Sequence, residues 1–240
     1  MTLDDILASL FGEAHSVALD GDSLSGRGTL PDGGAVHVLG FADRAELGVD
    51  QAIELAGRVL DIARTDDGAP ILFLIDSSSH RMSRRDELMG LSEYLAHLAK
   101  ALMFAEQAGH RTVGLLYGGS AAGAFIATAL ACGVLVALPG AHPEVMDLPS
   151  MARVTKLPLE VLRQKAQTTP VFAPGLENLV LAGAIAEVWD PAQPLAGQLV
   201  SLLARPVTSD PRGALGKARG GRTKALDIAD TVVALATAHG

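Results

Sequence analysis

The chain has 240 residues, 49% of them hydrophobic, with 19 Lys and Arg against 27 Asp and Glu, a formal net charge of −8. The apolar content excludes intrinsic disorder, the acidic balance excludes a general nucleic-acid binder, and a single cysteine, Cys132, excludes a disulfide framework or a thiolate zinc site. Charged residues are only 19% of the chain, so part of its surface is expected to lie against another chain.

Thr2-x-x-Asp5 predicts a capped helix through Phe11. The acidic start differs from a basic secretory leader, so a cytoplasmic location is expected. Weak alternation over 16–20 and 35–41 around Pro31-Asp32-Gly33-Gly34 predicts a hairpin or meander. Residues 49–63 carry a helical stripe, capped at Asp50 or a neighbour. Residues 70–75 read as a buried strand ending at Asp76, and leucines 88, 91, 95, 98 and 102 predict one long helix over 85–108.

From Thr112 to Pro143 no residue is charged, and the apolar stretch 113–138 is long enough to cross a bilayer. Gly118-Gly119-Ser120, Gly133 and Pro139-Gly140 interrupt it, so the better reading is strand 112–117, helix 120–131 and strand 134–138, buried between layers. Short helices over 150–157, 159–168 and 175–181, a strand at 185–189, and helices over 195–204 and 223–238 complete an α/β pattern. One segment, 206–221, is linker-like and basic, within a run 205–224 whose cations predict contact with phosphates, an acidic partner, or solvent alone.

The strand leading into Gly118-Gly119-Ser120-Ala121-Ala122-Gly123 ends in two glycines and opens a helix at a capping serine. The amides of residues 119–122 would then lack intrahelical partners, and glycine lets a ligand approach them. Such a turn suits a phosphate, an oxyanion, or simply tight helix packing. The Lys that follows a phosphate loop is missing, and so is the G-x-G-x-x-G spacing. Gly123-Ala124-Phe125 resembles the end of the nucleophile segment of Clp-type serine proteases, but the nucleophile position there falls on Ala121, leaving Ser120 one residue away and His142 as the candidate base. Arg81, Arg84 and Arg85 are expected in a loop after the 71–76 strand, where α/β sheets bind ligands. The seven histidines, at 15, 37, 80, 97, 110, 142 and 239, have no metal-ligand spacing.

Asp76 with its polar loop, the Glu87-to-Glu93 helix start, the Gly118-Gly119-Ser120 turn and Val145-Met146-x-x-Pro149 together resemble the carboxyltransferase subunits of acetyl-CoA carboxylase. The resemblance is strongest to the gamma subunit of biotin-independent malonate decarboxylase. Ala121-Ala122 and Ser77-Ser78-Ser79-His80 depart from the carboxylase pattern, and a Met-Lys-Met biotin-carrier motif is absent.

The resemblance implies a crotonase-like spiral of ββα units with peripheral helices, forming one carboxyltransferase-like domain over 1–240. It implies decarboxylation of a malonyl thioester through an enolate held by backbone donors, with Gly118, Gly119 and Ser120 as the catalytic turn. Ala121, Ala122, Gly123, Arg81 and His142 are then substrate-binding candidates, and His80 or His142 could return a proton to the enolate. No metal and no cofactor bound by this chain are expected. The substrate would ride on the CoA-like pantetheine (phosphoribosyl-dephospho-CoA) arm of an acyl carrier protein. A homologous beta subunit, the acyl carrier protein and its transferase subunit are the implied partners, with neither nucleic acid nor a membrane among them. A catalytically silent subunit that completes the beta-subunit site, or a serine hydrolase, are the competing readings.

Overall fold

A computed structural model describes residues 1–206 and 209–238, so His239 lies outside the described residues. The chain packs as two compact units, Met1–Val145 with Glu187–Pro206, and Met146–Ala186 with the described residues from 209 onward.

The first unit is built on a seven-stranded sheet of order β1-β2-β3-β4-β5-β7-β9, comprising β1 Ala18–Asp20, β2 Ser23–Thr29, β3 Ala35–Leu47, β4 Ile71–His80, β5 Thr112–Leu116, β7 Val134–Ala137 and β9 Glu187–Val188. The β1–β2 and β2–β3 pairs are antiparallel, and every pair from β3 onward is parallel. A separate parallel pair joins β6 Gly119–Ala121 to β8 His142–Glu144. Successive side chains of a strand face opposite sides. Leu72, Leu74, Val113, Leu115 and Val136 accordingly share one core with α1 Leu3–Phe11 and α9 Leu195–Leu203. Phe73 and Phe41 point to the other side, with their rings edge-to-face at 5.7 Å. Of the helices following β3 to β5, namely α2 Val49–Ala63, α3 Arg84–Met89, α4 Leu91–Gln107 and α5 Ala122–Ala127, α2, α4 and α5 provide buried apolar side chains such as Leu55, Val59, Leu98, Leu102 and Phe125.

The Thr2 capping box forms as expected. Other elements differ for local reasons. The 85–108 helix is broken at Gly90, whose φ of 83° and ψ of 50° end α3 in a left-handed cap and start α4 anew. Strand β4 continues through Ser77-Ser78-Ser79-His80, expected as a loop, because the end of β3 pairs with it as far as Leu47↔His80. Strand β2, rich in Ser and Gly, carries little strand propensity of its own and is held by pairing along β3.

The second unit is helical: α6 Leu148–Thr155, α7 Leu159–Ala166, α8 Leu176–Leu181, α10 Arg212–Ala218 and α11 Ala225–Ala238. The linker-like segment 206–221 therefore contains a helix. Arg219 secures it by donating to the carbonyls of Val180, Ile185 and Ala186. Among the described residues no helix is long and apolar enough to cross a membrane.

Candidate active site

The pairing of β4 with β5 ends at Ile75 and Leu116, and the polypeptide beyond it carries the polar groups predicted for a site. Opposite Asp76, β3 bulges between Phe41 and Ala45, with Asp43 and Arg44 both at φ 57°. Asp76 occupies the space between the bulge and the glycine turn. Its Oδ2 accepts from the Arg44 N–H at 3.2 Å and its Oδ1 from the Gly119 N–H at 2.9 Å. A Cβ on Gly118 would stand 2.1 Å from Asp76 Oδ1, so glycine is required there by a side chain rather than by its own dihedrals. Tyr117 closes the arrangement by donating its hydroxyl to Phe41 O at 2.9 Å. Burial, then the Asp76 and Asp43 carboxylates, push its phenol pKa up, so it stays a protonated donor.

This geometry changes the reading of the turn. Ser120 is not a helix cap. It lies in β6, 1% exposed, and its hydroxyl is hydrogen-bonded to Ser77 Oγ at 2.9 Å, while Ala121 is the N-cap of α5. The serine chosen as a cap is recruited by Ser77, because β4 extends further than its apolar run. Nor is the Gly119 N–H open to a substrate, since Asp76 holds it. The pairing described for Ser120 is with a second serine and not an imidazole, so the serine-hydrolase reading lacks its base.

Two histidines flank the turn. Gly123 N–H donates to His80 Nδ1 at 3.2 Å, which in the neutral ring leaves the proton on Nε2. His142 is exposed, with Nδ1 3.1 Å from Gly140 O and Nε2 3.2 Å from where a Cβ on Gly119 would lie. A proton on Nδ1, donated to that carbonyl, leaves Nε2 as the acceptor in the neutral ring. Ala122, between the two, is left-handed at φ 51°, a strained conformation for a residue with a Cβ. The structure thus gathers Gly118, Gly119, Ser120, Ala121, Ala122, Gly123 and His142 around one corner. Asp76 and Ser77 join them as supports whose position sequence reasoning underrated.

The basic residues are placed elsewhere. Arg81 donates to Glu46 O and Gln51 Oε1, beside the start of α2. Arg84 and Arg85 lie in α3 rather than a loop, and Arg85 forms a two-pronged pair with Asp50. In the basic run, Arg205 pairs with Glu187, Arg212 with Asp210, and Lys217 with Asp227.

Comparison with known proteins places these features in a family. Residues 42–236 match the family model of the malonate decarboxylase gamma subunit, a match that runs through both units. The malonyl-S-ACP:biotin-protein carboxyltransferase MADD of Malonomonas rubra is 26% identical over 196 residues, 73% of this chain and 67% of that protein. Among solved structures, the Pseudomonas malonate decarboxylase MdcD-MdcE hetero-dimer superposes with a TM-score of 0.74 at 23% identity, over 95% of this chain and 96% of that one. Transcarboxylase 12S, solved with methylmalonyl-coenzyme A and methylmalonic acid, gives 0.68 at 16% identity, over 85% of this chain and 43% of that one. The fold is that of the crotonase-like carboxyltransferases. With four-fifths of its length matched by one family model, the chain belongs to the malonate decarboxylase gamma subunit family.

Proposed function

We propose that this chain, paired with a homologous beta subunit, decarboxylates malonyl-S-acyl carrier protein to acetyl-S-acyl carrier protein. The C–C bond to the carboxylate breaks and CO2 leaves. The electron pair moves onto the thioester oxygen as an enolate, and a proton then adds to the α-carbon. An enolate needs donors aimed at its oxygen, and each preorganised donor contributes about 3–4 kcal/mol in comparable sites. The observation that carries the reading is the corner after β5, held rigid by Asp76. Because the Gly119 amide is committed to Asp76 and the Gly123 amide to His80, the Ala122 amide at the head of α5 is the one assigned to the thioester oxygen. With Nδ1 accepting from the Gly123 N–H, His80 presents its Nε2–H and is assigned as the donor to carbon. His142, whose Nε2 is an acceptor, is assigned to substrate orientation.

Family membership and the hetero-dimeric relative support the beta-subunit partner. The thioester-bound relative supports a pantetheine-type arm, which we take to be phosphoribosyl-dephospho-CoA on the acyl carrier protein, attached by a transferase subunit. On this reading both units form one carboxyltransferase-like domain, the protein works in the cytoplasm, and this chain itself binds no cofactor and no metal in the reaction.

One observation favours a second reading, a silent subunit that completes the beta-subunit site: the Gly119 amide and the Ser120 hydroxyl are both satisfied within the chain. Co-expression of the two subunits with malonyl-charged carrier protein, scored by CO2 release, separates them. Loss of turnover in His80→Gln with assembly intact supports a catalytic chain. Full turnover in that variant and in Asp76→Ala supports the silent one.

A further inference from the structure

At the opposite end of the parallel sheet, where β3, β4 and β5 begin, three residues converge that the proposed reaction does not use. His37 lies at the start of β3, paired with Ile71, and His110 just precedes β5; both are buried. Asp67 comes from the turn between α2 and β4. His37 Nε2 is 3.2 Å from Asp67 Oδ2, His110 Nδ1 is 3.8 Å from Asp67 Oδ1, and one ligand atom from each residue fits within 4.8 Å of the others. We infer that His37, Asp67 and His110 form a binding site for a divalent cation of the zinc class. The histidine spacing in sequence hides it, because 73 residues separate the two rings.

The His110 ring supplies the independent reason. Its Nε2 lies 3.2 Å from Thr65 O and its Nδ1 2.9 Å from Ala69 O. A neutral imidazole donates from one nitrogen only, so one lone pair faces a carbonyl oxygen. With the proton on Nε2 donated to Thr65 O, the Nδ1 lone pair, Ala69 O and the Asp67 carboxylate all converge on one place. Metal–ligand bonds of about 2.0–2.2 Å put neighbouring ligand atoms roughly 3.0–3.5 Å apart, close to the 3.2 and 3.8 Å at which the two rings approach Asp67. A backbone carbonyl accepting the second ring N–H is the usual outer support of a metal-bound histidine.

Hydrogen bonds fix the carboxylate for such an ion: the Ala69 N–H, the Arg27 guanidinium and the Thr65 hydroxyl all donate to Asp67. Such an ion would clasp the α2–β4 turn to the starts of the central strands, a structural role independent of the thioester reaction.

The test is titration of the full chain, stripped with chelator, with Zn2+ by calorimetry and with Co2+ by visible absorption. One equivalent per chain, with a raised melting temperature, is expected. Asp67→Asn, on an exposed turn, and His37→Gln should each weaken uptake by at least about tenfold while far-UV dichroism stays native. Failure of the wild type to take up one equivalent, or equal uptake by Asp67→Asn, overturns the site. The first result would mean that the His110 Nδ1 carries its proton and donates it to Ala69 O, and the second that surface histidines bind the ion.

Discussion

Asp76 Oδ1 lies 2.9 Å from the Gly119 amide nitrogen, and this contact ties the glycine corner to the bulge of β3 through a single carboxylate. Asn at this position keeps the shape but has one acceptor oxygen where two amides donate. Asp76→Asn is therefore expected to cost about 1–3 kcal/mol of stability, the usual loss when a sequestered donor is left unpaired. Chemical denaturation of the two proteins measures it.

Gly118→Ala places a Cβ on Asp76 Oδ1, and the carboxylate can only move by giving up its amides. Large destabilisation and loss of turnover should follow together. Gly57→Ala is the contrasting case. Gly57 lies inside α2 at an exposed position with nothing within 4 Å of an added Cβ. It should stabilise the chain by about 0.5–1 kcal/mol through helix propensity alone, read as a higher melting temperature.

These two glycines mark what a sequence can disclose. The α/β alternation, α2 and the strand–turn–helix corner follow from hydrophobic period and turn chemistry, which are local. The bulge at Asp43 and Arg44, the extension of β4 through Ser77 to His80, and the burial of Ser120 depend on neighbours far along the chain, so no local pattern announces them. The glycine corner follows from its local sequence, but the commitment of its Gly119 amide does not: the carboxylate that accepts it lies 43 residues earlier. The His37, Asp67 and His110 cluster was hidden for the same reason.

Ser120→Ala tests the hydroxyl directly. The loss of one partner leaves Ser77 unpaired in the interior, so stability should fall by roughly 1–3 kcal/mol. Turnover should change by no more than a few-fold, and a fluorophosphonate probe should leave no adduct at Ser120 on the wild type. Labelling at Ser120 with abolished turnover in the variant would restore the hydrolase reading.

Stability should also depend on pH through His37. Its folded pKa is depressed, so the unfolded chain binds the proton more readily. The contribution is complete above the unfolded value near 6.5 and is lost as pH falls through the lower folded value. The depressed carboxylates of Asp86, held by the Ser83 hydroxyl and then the Val49 N–H, and of Asp147, held by Ser150, act only at more acidic pH, below about 4. Denaturation in chelator from pH 8 to pH 3 should therefore fall in two phases, and His37→Gln should remove the first.

The most direct test of the enolate account is CO2 release from malonyl-S-acyl carrier protein by the paired subunits, with Asp76→Ala set against the wild type. Loosening the corner should lower kcat about 100- to 1000-fold, the scale of one misplaced oxyanion donor, with KM and subunit association preserved. An unchanged kcat in a variant whose Gly119 amide has become exchangeable with solvent would contradict it.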